Sequence, residues 1–167
     1  AGCATSGYNR ADKTGAGIAE YRAEILNGQK AINDTVTSLD GIAASANTDP
    51  RPAFQKFSKD VARLESVAGS VKKRGESMQQ SGKAYFAQWE KQLAEVNNEE
   101  IRQLAASRKA KLSAAFEGIQ KYAEPLRAQF APWMSDLKDL KTYLNNDLTI
   151  AGVDSAKELF KRTQSQG

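Results

Sequence analysis

Residues 54 to 144 read FQKFSKDVARLESVAGSVKKRGESMQQSGKAYFAQWEKQLAEVNNEEIRQLAASRKAKLSAAFEGIQKYAEPLRAQFAPWMSDLKDLKTYL. Apolar or small residues recur at steps of three and four: Phe54, Phe57, Val61, Leu64, Ala68, Val71, Gly75, Met78, Gly82, Tyr85 and Trp89. The run breaks at Asn97-Asn98. It resumes at Ile101, Ala105, Arg108, Leu112, Phe116, Ile119, Ala123, Leu126, Phe130, Trp133, Leu137, Leu140 and Leu144. A mean step of about 3.5 is the period of helices packed side by side in a coiled coil. The stretch predicts two long helices folded back on each other, and no alternating strand pattern competes with it.

The ends of these helices follow from local chemistry. Helix two is expected from about Pro52 to Val96, a length of ~68 Å at the helical rise. Asn97 is a cap candidate and Glu100 follows three residues later, as in a capping box, with two acids at the positive end of helix three. Helix three is expected from Glu99 to about Asn145. Pro125 and Pro132 lie inside it, and each removes a backbone donor and crowds the preceding turn. The seam crosses both prolines in register, so one kinked element is expected; a break at 131–132 is the alternative. Folding back at Asn97-Asn98 places Gly82 near Leu112 and Phe116, Gly75 near Ile119 and Ala68 near Leu126. Small residues against large ones let helices interdigitate.

Outward from this hairpin the signals are weaker. Residues 12–45 carry two rows at sevenfold spacing: Ile18, Ile25, Ile32 and Leu39, and Tyr21, Gly28, Thr35 and Ile42. They predict helix one, with Asp12 or Thr14 as its cap. Ala4 to Gly17, rich in Gly and Thr, reads as a tether fraying into that helix. Asn47 to Pro52 is a turn, with Asp49 suited to an N-cap and Pro50 to the first helical turn. Beyond Leu144 comes a polar turn, an ambiguous stretch from Thr149 to Val153, and a short fourth helix at 154–163. There Ser155 and Glu158 match a capping box, and Ala156, Leu159 and Phe160 share a face. The expected fold class is all-α: an elongated antiparallel helical bundle or coiled coil, three long helices plus a short C-terminal helix. Residues 1–14 form a leader remnant and tether, and 15–164 a single elongated helical domain.

Composition narrows function by exclusion. There is no histidine, and Cys3 is the only cysteine. An internal disulfide, a Cys/His zinc site and a Cys–His or Ser–His pair are therefore excluded. Twenty-four basic and twenty acidic residues are interleaved, for a net charge of +4. Short clusters such as Lys72-Lys73-Arg74 do not make a basic face, and the aromatics sit mainly on the seam, so nucleic-acid binding is not expected. Acids such as Glu90, Glu95, Glu99 and Glu100 are accounted for by solvated faces and helix caps. No enzyme activity, cofactor, metal or small-molecule substrate is expected.

Two regions carry positive signals. Ala1-Gly2-Cys3 resembles the end of a bacterial lipobox, in which the cysteine becomes the acylated first residue. Cys3 is the candidate lipidation site, since more than one acyl chain anchors a protein firmly. Ala4 after the cysteine, by the same resemblance, implies the outer membrane and the periplasmic face of the cell envelope. The second region is the far end of the hairpin, roughly residues 81 to 112, which a shorter helix one would leave as two helices. Tyr85, Phe86, Trp89, Leu93, Ile101 and Arg102 form a candidate partner-binding tip, because exposed apolar patches mark contacts. The bland alternative is that Trp89 and Leu93 only close the hairpin.

Phe86-x-x-Trp89-Glu90-x-x-Leu93, then Asn98, Ile101-Arg102 and Ser107, resembles the middle of a bacterial helical lipoprotein family known only as a domain of unknown function (twenty-nine fifty-nine). Pro132 and Leu137-x-x-Leu140-Lys141-x-x-Leu144-Asn145 resemble its C-terminal end; Thr142 stands where that family usually has His. The resemblance implies an all-helical envelope protein and supplies no reaction. The expected function is a non-enzymatic, lipid-anchored structural or interaction protein, held to the membrane by Cys3 and binding a protein partner or itself. A membrane-surface scaffold assembling on lipid is the alternative.

Overall fold

The computed structural model describes the backbone of residues 3–166 and the side chains of residues 7–166. The fold is an all-α helical bundle in which three long helices pack together and two short ones follow. In order these are α1 (Cys3–Ser45), α2 (Arg51–Ala94), α3 (Glu99–Asn146), α4 (Ile150–Ser155) and α5 (Lys157–Gln166). No strand occurs among the described residues. The chain divides into two compact units, Ala1–Ala23 with Lys72–Leu126 and Glu24–Val71 with Arg127–Gly167.

The second unit, residues 24–71 with 127–167, holds most of the core. Phe57, Leu64, Leu39, Ile42, Leu137, Leu140, Leu144, Val153 and Phe160 are fully buried. Each such side chain contributes about 1.5–3 kcal/mol relative to exposure. On α1 the row Thr35 and Ile42 is buried, whereas Ile25, expected to pack beside it, is exposed. The cause is the approach of α1 to α2 at Gly28, where an added Cβ would lie 3.6 Å from Val71 and 3.9 Å from Val67. That contact turns the row containing Gly28 inward. Trp133 is buried and donates its Nε1–H to the Thr163 carbonyl at 2.7 Å, tying α3 to α5.

The first unit, residues 1–23 with 72–126, has a thinner core of Tyr21, Met78 and Phe116 with the buried glycines Gly75 and Gly82. Here the expected pairing of Gly82 with Phe116 is present. A Cβ at Gly82 would stand 2.1 Å from the ring's Cζ and 2.6 Å from both Cε atoms. Gln79 donates to Gln120 at 2.9 Å, and Lys109 meets Glu90 at 3.2 Å, fixing the antiparallel register of α2 and α3.

Several boundaries differ from expectation, each for a local reason. The first helix starts at Cys3, not near Asp12, so the segment read as a tether is helical. Thr14 does not cap it; its hydroxyl donates to the Arg10 carbonyl inside the helix. Asn98, not Asn97, caps α3, its Oδ1 accepting from the Ile101 N–H at 3.1 Å. The helix then runs unbroken through Pro125 and Pro132, both on its exposed side, where a lost hydrogen bond exposes the freed carbonyl to water. The expected fourth helix is two. Thr149 accepts from the Gly152 N–H and starts α4 early, so Ser155 donates to Ala151 O inside that helix instead of capping the next. Ala156 and Phe160 are buried and Leu159 is half-buried, as their shared face requires.

Candidate interaction surface

The candidate tip residues lie in the first unit, where α2 ends and α3 begins. Tyr85, Phe86, Trp89 and Leu93 occupy the last turns of α2, and all four are half-buried. Their spacing of three and four places them along one side of the helix. Tyr85 meets Trp89 edge to face with ring centroids 5.6 Å apart, and Phe86 meets Phe116 in the same way at 5.9 Å. Phe86, a candidate tip residue, thus packs against α3. The tip is also not bare of helix one. Because α1 reaches back to Cys3, Gly7 and Arg10 line a surface groove of about 220 Å³ together with Tyr85, Trp89 and Gln92. The two-helix tip expected from the sequence is corrected over those residues.

Of the candidate tip residues, those that remain exposed lie on α3. Ile101 is 54% exposed and Leu104 73%, with Arg102 exposed beside them and paired with Glu99. Further along, Leu112, Tyr122 and Leu126 are exposed too, the last two at 79% and 67%. At about 100° per residue these five apolar side chains fall within an arc of about 80°. They include three members of the predicted seam, Ile101, Leu112 and Leu126, which therefore do not face α2. The inward row is instead Ala105, Lys109, Ser113, Phe116, Gln120 and Ala123, all buried or half-buried. The seam drawn through Arg108 and Leu112 misses this row by one position. Phe116 over Gly82, Gln120 on Gln79 and Lys109 on Glu90 set the rotation of α3, and together they turn the leucines outward. Tyr122 and Leu104 lie outside the spacing that seam follows, which is why it misses them.

The surface is chemically plain. Among the described residues no group of three or more His, Cys, Asp or Glu side chains is arranged to hold a metal. No described helix is long and apolar enough to cross a membrane. The Cys3 side chain, the candidate lipidation site, lies outside the described side chains.

A family model described as "Protein of unknown function (DUF2959)" matches residues 5–166. The chain belongs to this family. Neither the curated proteins nor the solved structures contain a match. The DUF2959 match takes in α1 almost from its start and extends to the end of α5, so both compact units belong to the family's domain.

Proposed function

We propose that the protein is a non-enzymatic, lipid-anchored component of the bacterial cell envelope that acts as a structural or interaction element through its α2–α3 helical hairpin. The observation that carries the interaction half is the exposed apolar arc of α3, with Tyr122 and Leu126 turned away from the inward row and Leu112 at its edge. Apolar side chains at helical spacing on an unpacked face are what a partner helix, or a second copy, docks against. The lipid-anchored half rests on Ala1-Gly2-Cys3, and its expected location is the periplasmic face of the outer membrane. A catalytic role has little to support it, since the groove at Trp89 offers no cluster of acids or nucleophiles.

The experiment is fractionation combined with crosslinking. The wild-type protein should sediment with membranes and be released by detergent but not by salt, and Cys3→Ala should move to the soluble fraction. A photoreactive residue in place of Leu126 should capture a discrete protein or a dimer in intact cells. Wild-type protein found soluble would refute the anchor, and no adduct at Leu126 or Tyr122 would refute docking on that arc. The alternative, a scaffold assembling on lipid, requires acyl-free protein to float with vesicles.

A further inference from the structure

The first unit brings the start of α1 to the same end of the bundle as the α2–α3 turn. Gly7 and Arg10 share a groove with Trp89 and Gln92. Cys3 precedes Gly7 by four residues, so its Cα lies within about 14 Å of Gly7 in any chain conformation, and about 6 Å along the axis when helical. On the other side of α2, Lys109 pairs with Glu90. Leu104 and Ile101 lie about 8 and 12 Å from Lys109 along α3 toward the turn. The acyl-acceptor position and the most exposed apolar residues of the hairpin end therefore stand at one level of the unit. Tyr8, also largely exposed, belongs to the same end of α1.

We infer that this end of the first unit rests on the lipid surface, with Ile101, Leu104 and Tyr8 entering the headgroup region beside the acylated Cys3. The inference rests on the acylation of Cys3 proposed above. A bilayer covers these side chains because the anchor holds it next to them: tethering raises the local concentration of lipid far above what a few exposed side chains would recruit alone. Leu and Ile side chains at shallow depth and a Tyr at headgroup level are the residue types that interfacial contact uses. The hairpin end is then a footing on the membrane, and the protein-docking part of α3 is confined to the stretch from Leu112 to Leu126.

The test uses full-length acylated protein purified from envelopes, carrying Leu104→Cys or, as the control within the same unit, Tyr122→Cys. Acylation consumes the thiol of Cys3, so an environment-sensitive fluorophore attaches only at the new cysteine. The proteins are reconstituted into phosphatidylethanolamine–phosphatidylglycerol vesicles containing spin-labelled lipid. The expected result is a blue shift and several-fold stronger quenching at 104 than at 122. Equal, weak quenching at both sites overturns the inference and gives Ile101 and Leu104 to a protein partner. Intact mass measured before reconstitution separates the two failures: protein lacking acyl chains refutes the anchor itself, and with it the footing.

Discussion

At the residue scale the molecule turns on Gly82. The Phe116 ring points its Cζ into the space a side chain would take, so any Cβ there forces the ring or the helix to move. Gly82→Ala should destabilise the protein by about 1–3 kcal/mol by overpacking, despite the better helix propensity of alanine. Phe116→Ala should cost more, about 3 kcal/mol or above, because it empties the core of a thin unit. Denaturant melts of both single variants and the double should show strong coupling, with the double much less damaged than the sum. This pairing was readable in advance, since a glycine on a core row opposite a large residue has few other uses. Three carboxylates give a second prediction. Asp34 is held below the ordinary carboxylate range by its hydrogen bond to Lys30, Asp49 by Arg51, and Asp147 by the Thr149 hydroxyl and N–H. Lowered folded-state values mean stability that is present above the unfolded value near ~4 and lost as pH falls through the folded ones. Thermal melts should therefore be steady from neutral pH down to about pH 5 and fall below pH 4. Asp147→Asn should flatten part of that fall, and an unchanged acid limb in it would contradict the assignment.

At the element scale, α3 shows where sequence patterns stop short. Its C-terminal half was legible: Trp133, Leu137, Leu140 and Leu144 are buried as their spacing requires. Its N-terminal half was legible as a helix but not in rotation. Arg108 and Leu112 fit a heptad as well as Lys109 and Ser113 do, and a hydropathy pattern favours the leucine. The choice was made by contacts between helices, a glycine, a glutamine pair and one ion pair, which no single-strand pattern records. The start of α1 failed for another reason. Glycines and threonines between Ala4 and Gly17 lower intrinsic helicity and suggest a tether, yet the segment continues α1 as helix, with Gly7 and Arg10 lining the groove at Tyr85 and Trp89. The prolines of α3 supply an element-level prediction. Pro125 sits exposed within a continuous helix, so Pro125→Ala restores a backbone donor. It should raise stability by roughly 1 kcal/mol, with ~3 kcal/mol as the ceiling set by proline's helix penalty. A lower denaturation midpoint in Pro125→Ala would mean that the fold needs the proline itself at this position.

At the scale of the whole molecule, the two units differ in how much they bury. Residues 24–71 with 127–167 contain nearly all of the fully buried aliphatic side chains; residues 1–23 with 72–126 depend on Tyr21, Met78 and Phe116. Local opening follows buried apolar contact, so amides at 101–126 should exchange with deuterium well before those at 133–144 of the same helix. Uniform protection along α3 would show the first unit to be sealed by something beyond its own core. The composition acts at this scale as well. Twenty-four basic residues against twenty acidic ones leave too small a surplus to hold the chain on anionic lipid unaided. In the proposed lipid-anchored reading, membrane attachment therefore depends on acylation of Cys3. The most direct measurement is the intact mass, with N-terminal peptide sequencing by fragmentation, of protein extracted by detergent from bacterial envelopes. The expected result is a chain beginning at Cys3 and carrying fatty-acyl chains on that residue; a chain retaining Ala1-Gly2 with a free thiol at Cys3 would contradict the proposed lipid anchor.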